Sequence, residues 1–255
     1  MVKFLLMGKF TYNKADYDKH LLEEHHLSAF SNYLKEIVYG GSDGIVTTFA
    51  VVAGFSGAQS GIANQYPFVI VLLFGFANLF ADATSMGLGN VLSIFADKDV
   101  YQTEKEKELN EIRNNPDMEK AETIYILKKK GFDKKDAETI TNLYSKNEGY
   151  WVNFMMQHEL ELPNPENENP LLTGIATFIA FLFFGLIPLI PYLALGDTSS
   201  TFSVSILFTF LALVLLGFLR WKVTTQTLLR SMSDIIIIGG TSAILAYFVG
   251  TFFRS

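Results

Sequence analysis

Apolar residues gather along this chain in long uninterrupted runs, and one charged tract divides them. Four runs, at about 66–95, 171–195, 202–219 and 234–253, are long enough to cross some 30 Å of hydrocarbon as helices. A fifth, IVYGGSDGIVTTFAVVAGFSG at 37–57, carries Asp43 and several glycines but has the same apolar length. Residues 97–170 break the pattern, being rich in Lys, Glu, Asp and Asn. Within them EKEKELNEIR and MEKAETIYILKKK read as charged helices with sparse apolar stripes, separated by Asn114, Asn115 and Pro116. Asp133 has the character of a cap for a third helix, and a fourth is predicted through EGYWVNFMMQHELEL, stopping at Pro163. PNPENENP then reads as a polar linker. The pattern predicts an all-α integral membrane protein: five transmembrane helices with a helical insert between the second and third spans. It divides the chain into an N-terminal arm and lead-in helix (1–36), spans one and two (37–96), the insert (97–170) and spans three to five (171–255).

The placing of positive charge predicts how these spans are oriented. The arm carries Lys3, Lys9, Lys14, Lys19 and Lys35, the insert many more, and the connection after the fourth span has Arg220, Lys222 and Arg230. Segments 58–66 and 196–201 have no Lys or Arg, and the C-terminal tail has only Arg254. Basic and neutral connections therefore alternate, which puts the N-terminus and the insert in the cytosol and the C-terminus on the opposite side. No signal peptide is expected, so the first span acts as its own insertion signal. A vacuolar and a plasma membrane fit this pattern equally.

Composition removes several chemistries. A net charge of -6 argues against a nucleic-acid partner. With no cysteine, thiolate metal sites and Cys nucleophiles are excluded, so any metal must be held by carboxylate, imidazole, thioether or backbone oxygen. No nucleophile elbow, phosphate loop, zinc-hydrolase motif or dinucleotide fingerprint is present, and an enzyme is not expected.

The candidate chemistry lies in acidic residues and methionines. A carboxylate at membrane depth is costly and usually lines an ion or proton path, which draws attention to Asp43. Glu36 precedes it by seven residues, two turns back on the same helical face. Alternatively, Glu36 sits at the interface and Asp43 caps a break at Gly40, Gly41 and Gly44. In the second span Asp82 and Met86 share one face, with Asn78 a further turn back. An oxygen and a thioether on one stripe suit a borderline ion such as Fe2+; Met86 could equally fill a gap between helices. The insert offers Glu108 with Glu111, Glu119 with Glu122, and Met155 and Met156 with Glu159. Carboxylates alone favour hard ions and added thioethers favour softer ones, although charged helices more often present a merely solvated face. His20, His25 and His26 with Glu23 and Glu24 do not fall on one helical face and read as an interfacial lead-in.

Several of these segments resemble the vacuolar iron transporter family. LKEIVYGGSDGIVTTFAVVAGFSGA at 34–58 is similar to its first span, ADATSMGLGNVLS at 81–93 to its second, and FMMQHELEL at 154–162 to its insert motif. ATFIAFLFFGLIPLIPY at 176–192 and GGTSAILAYFVG at 239–250 resemble the third and last spans, so the likeness runs in order over nearly the whole chain. It implies a homodimer whose ion path runs between protomers, exporting cytosolic Fe2+, often also Mn2+, in exchange for protons. Asp43 and Met86 correspond to path residues and Glu36 to an acidic residue near the cytosolic entrance. Glu108, Glu111, Glu119, Glu122, Met155, Met156 and Glu159 correspond to the metal-binding residues of the cytosolic domain. Some relatives carry Glu at the position of Asn78 and a small residue at that of Asp82, as though the carboxylate had moved one turn along the face. Two other readings stay open. In one, a membrane-anchored sensor or buffer binds iron without transporting it. The other, a ferritin-like oxidase, would need Glu-x-x-His pairs on facing helices, and the insert's only histidine, His158, directly precedes Glu159.

Overall fold

The computed structural model describes residues 14–24, 29–57, 67–196, 198–224 and 226–252, and no strand occurs among them. The order is α1 (Lys14–Glu24), α2 (Ala29–Asn32), α3 (Leu34–Gly57), α4 (Pro67–Asn114), α5 (Pro116–Lys129), α6 (Lys134–Tyr144) and α7 (Glu148–His158). Then come α8 (Pro170–Leu186), a 3-10 turn (Ile187–Leu189), α9 (Ile190–Leu195), α10 (Thr201–Val223) and α11 (Leu228–Phe252). Five stretches are long and apolar enough to span a membrane: Leu34–Gly57, Phe68–Asn114, Pro170–Leu195, Thr201–Val223 and Leu228–Thr251. The expected five-span helical architecture is therefore present.

Three boundaries differ from the sequence reading. The first span starts at Leu34, which brings Glu36 into its first turn. The helix that carries the second span does not end with its apolar stretch near residue 95. It runs on for 48 residues to Asn114, because no Gly or Pro follows Gly89 until Pro116 and the charged residues are good helix formers. The change at residue 97 is thus one of surface, not of backbone. The fourth insert helix stops at His158 instead of reaching Pro163. Leu162 precedes a proline, which disfavours helical backbone there. The chain turns back instead, with Glu159 N–H and Leu160 N–H on Met155 O (2.8 and 3.3 Å) and Leu162 N–H on Met156 O (3.0 Å). Glu161 takes a left-handed φ of 53° in that turn.

The chain forms two compact units, residues 1–79 with 180–255, and residues 80–179. In the first, α3 packs against α10 and α11. Ile45, Phe184, Ala212, Leu213, Leu216 and Ile235 form its core. Helix α3 is unbroken through Gly40, Gly41 and Gly44, so Asp43 does not cap a break. A Cβ on Gly44 would collide with the Phe181 carbonyl, and one on Gly185 would lie 2.8 Å from Gly44 O. Glycine on both sides is what lets these backbones touch. The third span is interrupted where Pro188 and Pro191 each remove a helical donor. Ser205 of α10, itself buried, donates to Pro188 O at 2.7 Å and satisfies a carbonyl there. Large apolar side chains such as Leu73, Leu207, Leu229 and Ile237 face outward, as helices surrounded by lipid tails require.

In the second unit the later part of α4 joins α5, α6 and α7 around Tyr101, Ile112, Leu127, Trp151, Val152, Met155 and Met156. Asp133 caps α6 by accepting from Asp136 N–H at 2.8 Å, as its position predicted. Arg113 near the end of α4 grips Glu148 at the start of α7 through two hydrogen bonds of 2.6 and 2.8 Å. Asn90 of α4 donates to Thr177 Oγ1 of α8 at 2.8 Å.

Candidate metal centre

Three helices each supply one carboxylate to a single point in the second unit. Glu108 projects from α4, Glu119 from the first turn of α5, and Glu159 follows the last turn of α7. An oxygen from each lies within 4.8 Å of the other two. Glu108 and Glu119 are only 3% exposed, so water cannot dilute their mutual repulsion. Glu108 Oε1 and Glu119 Oε2 have no hydrogen-bond partner among the described residues. Buried anionic oxygens without partners are among the most costly arrangements a fold can hold, and a cation or a proton removes the cost.

Electrostatics follow from that crowding. Burial, then Glu119, Glu159 and Glu111, push the Glu108 carboxyl up to about 8. Burial and the neighbouring Glu122, Glu119 and Glu111 push Glu159 to about 7. Glu119 is raised chiefly by burial, against a hydrogen bond from Glu108 that lowers it. At neutral pH the group therefore retains protons, which an arriving divalent ion must displace.

The seven residues marked in the insert separate into three sets. Glu108, Glu119 and Glu159 converge. Glu111 is exposed and Glu122 half-buried, and both act on the group through their charge. Met155 and Met156 are fully buried in the helical core. The thioether of Met155 is tied to α5, with Thr123 Oγ1 3.3 Å from its sulfur. Thr123 and Trp151 were not singled out from the sequence, although each stands four residues from a marked one (Glu119 and Met155) and so shares its helical face. His158 sits edge-on to Phe154 at 4.6 Å and is kept below its usual value by burial and Lys130.

The residues marked in the spans are placed as follows. Asp43 lines a cleft of about 790 Å³ in the first unit together with Lys35, Tyr39, Arg220, Asp234 and Ser242. Arg220 donates to Asp234 at 2.9 Å along that wall. Glu36 shares the helix but does not line the cleft: it is 8% exposed, and its Oε2 has no partner among the described residues. Asp82 and Met86 lie four apart on α4, both half-buried, with Asn78 one turn before. In the lead-in, α1 holds His20 and a Lys19–Glu23 contact of 3.8 Å, while Glu24 ends the helix; His25 and His26 lie outside the described residues.

Comparison with known proteins points the same way over most of the chain. The sequence profile of the VIT family matches residues 34–251. A vacuolar iron transporter of Toxoplasma gondii (strain ATCC 50861 / VEG) is 36% identical over 238 residues, 90% of this chain and 77% of that protein. Vacuolar iron transporter 1 of Tulipa gesneriana is 34% identical over 231 residues, covering 90% and 91% of the two chains. Vacuolar iron transporter 1 of Arabidopsis thaliana is 31% identical over 242 residues, 94% of each.

Proposed function

The chain belongs to the VIT family of membrane proteins, and we propose that it exports cytosolic Fe2+, with Mn2+ as a second cargo, in exchange for protons. The observation that carries this reading is the convergence of Glu108, Glu119 and Glu159, two of them buried with unpartnered oxygens. Such a group has a physical use for a divalent cation. In this reading Glu111 and Glu122 add negative potential, and the Met155 and Met156 thioethers bias the group toward a borderline ion over Mg2+ or Ca2+. Glu36, Asp43, Asp82 and Met86 form the translocation path of a homodimer. The insert and N-terminus face the cytosol, as their Lys and Arg content favours.

Exchange follows from one property of these side chains. A ligating carboxylate must be ionised, so each holds either a proton or a share of a metal ion. A proton gradient directed into the cytosol would then drive metal outward. Fe2+ flux into proteoliposomes under an imposed pH difference tests this, with wild type compared with Asp43→Ala. Gradient-dependent flux that disappears in the variant is expected. Metal binding without flux in either protein would replace transport by a sensor or buffer role, and flux indifferent to the gradient would remove proton coupling.

A further inference from the structure

One hydroxyl in the insert connects the carboxylate group to the methionine sulfur. Thr123 Oγ1 lies 2.8 Å from Glu119 O, one turn back on α5, and 3.3 Å from Met155 Sδ on α7. It also accepts the indole N–H of Trp151 at 2.8 Å. Thr123 is fully buried and Trp151 is 2% exposed, so water cannot replace any of these contacts. A threonine hydroxyl has one proton and two acceptor sites. With Trp151 filling an acceptor site, that proton goes to the Glu119 carbonyl or to the sulfur, and thioether sulfur is the weaker acceptor. Bonding to the carbonyl leaves the sulfur's lone pairs uncommitted, and the Trp151–Thr123 bond, which ties α7 to α5, keeps Met155 beside that hydroxyl.

Spacing makes this a continuous stripe. Trp151, Met155 and Glu159 stand at intervals of four on one face of α7 and its end, and Glu119 and Thr123 do the same on α5. Methionine has three rotatable side-chain bonds and settles wherever packing allows. Here its sulfur lies against Thr123, one turn along α5 from Glu119. We infer that Thr123 and Trp151 are positioning residues which hold the Met155 thioether for an ion bound by Glu108, Glu119 and Glu159, and so set its preference for borderline over hard divalent cations. The inference rests on the reading of those three carboxylates as a cation site.

Metal affinity of the full-length protein in detergent, measured for Fe2+ (without oxygen), Cd2+ and Mg2+, separates positioning from simple packing. Thr123→Val keeps the shape and removes the hydroxyl. It should weaken Fe2+ and Cd2+ binding about tenfold, the size of effect that loss of a supporting hydrogen bond has at other metal sites, because the Trp151–Thr123 bond that keeps Met155 in place is gone. Mg2+, which draws on oxygen ligands, should change less than about twofold. Thr123→Ser should restore the wild-type order, and Trp151→Phe should shift selectivity in the same direction by a smaller factor. X-ray absorption at the cadmium edge should find sulfur in the wild-type shell and lose it in Thr123→Val. Should that variant not fold, the Ser and Phe variants carry the same comparison. Equal losses for all three ions, unchanged selectivity, or no sulfur around wild-type cadmium would overturn the inference while leaving the carboxylate site standing. Failure of wild type to bind any of the ions would bring down both.

Discussion

Raising the pH from 6 to 8 should strengthen divalent-ion binding to the insert steeply, and the structure supplies the magnitude. Glu108, held near 8, is almost fully protonated at pH 6 and about half protonated at pH 8. A divalent ion bound there must expel that proton, so the apparent affinity gained from Glu108 alone over this range is about fiftyfold. Glu159, held near 7, would add about tenfold more, giving roughly 500-fold if its shift acted in full. Water reaches Glu159, whose residue is exposed, and screens part of that contribution; the expectation lies between the two figures. Glu119 is raised as well, so it can only steepen the dependence.

Calorimetric titration with Mn2+, an air-stable stand-in for Fe2+, would read both the affinity and the protons released if repeated in buffers of different ionisation enthalpy. Because the three carboxylates interact, protons leave as a set, and the count belongs to the group. More than one proton per ion is expected at pH 7, falling toward none above pH 9. Glu108→Gln should lower that count by about one below pH 8 and flatten the profile. An affinity that changes less than about fivefold between pH 6 and 8 would falsify the assignment of these carboxylates to cation binding.

The metal-free protein should show the opposite trend in stability. A carboxyl raised in the folded state contributes stability that is present below its ordinary value of 4.5 and lost as pH rises toward about 8, so the melting temperature should fall from pH 5 to 8 unless a divalent ion is added. A flat melting profile in the metal-free protein would contradict the burial argument. In the second span, Asp82→Asn should reduce Fe2+ flux at least about tenfold while Asn78→Ala retains most of it, since only the former removes a carboxylate from the proposed path. Equal effects on flux would show that the carboxylate has not moved along the face. Gly44→Val forces a side chain into the Phe181 carbonyl and should cost about 1–3 kcal/mol by thermal unfolding, whereas Gly89→Ala, which meets nothing within 4 Å, should be neutral or better. Similar melting temperatures for the two would show that the α3–α8 contact is not as close as described.

The spans were legible because lipid imposes a simple rule: some 20 apolar residues in a row can be little else. The same rule says nothing about where the helix ends near residue 97. Hydropathy changes sharply there, but a helix ends where its backbone is interrupted. The stretch from Val91 to Asn114 contains no Gly or Pro, so the end at Asn114 was written in the sequence in a different signal. At the other end of the insert, Pro163 acts on residues before it. The restriction it places on Leu162, and the turn through Glu161, moved the last helical residue back to His158. That early stop matters for chemistry, because it leaves Glu159 at a helix end, where its carboxyl can meet those of two other helices.

Spacing along single helices could propose partners only within a helix, and it paired Glu108 with Glu111 and Glu119 with Glu122. The fold selects differently. It takes the first member of each pair, buries both against Glu159 and leaves the second members to act through charge. Which member is inward depends on the packing of α4, α5 and α7 around Trp151 and Met155, a long-range fact that no local pattern carries. Yet the positions four residues from Glu119 and Glu159 are readable in the sequence, and they are where Thr123 and Met155 stand. On the insert's stripes Trp151, Met155 and Glu159 form one line and Glu119 and Thr123 another. The hydroxyl joining these lines belongs equally to the apolar core and to the carboxylate group. That dual membership is the physical reason for expecting ion selectivity in this insert to depend on residues that offer the ion no ligand.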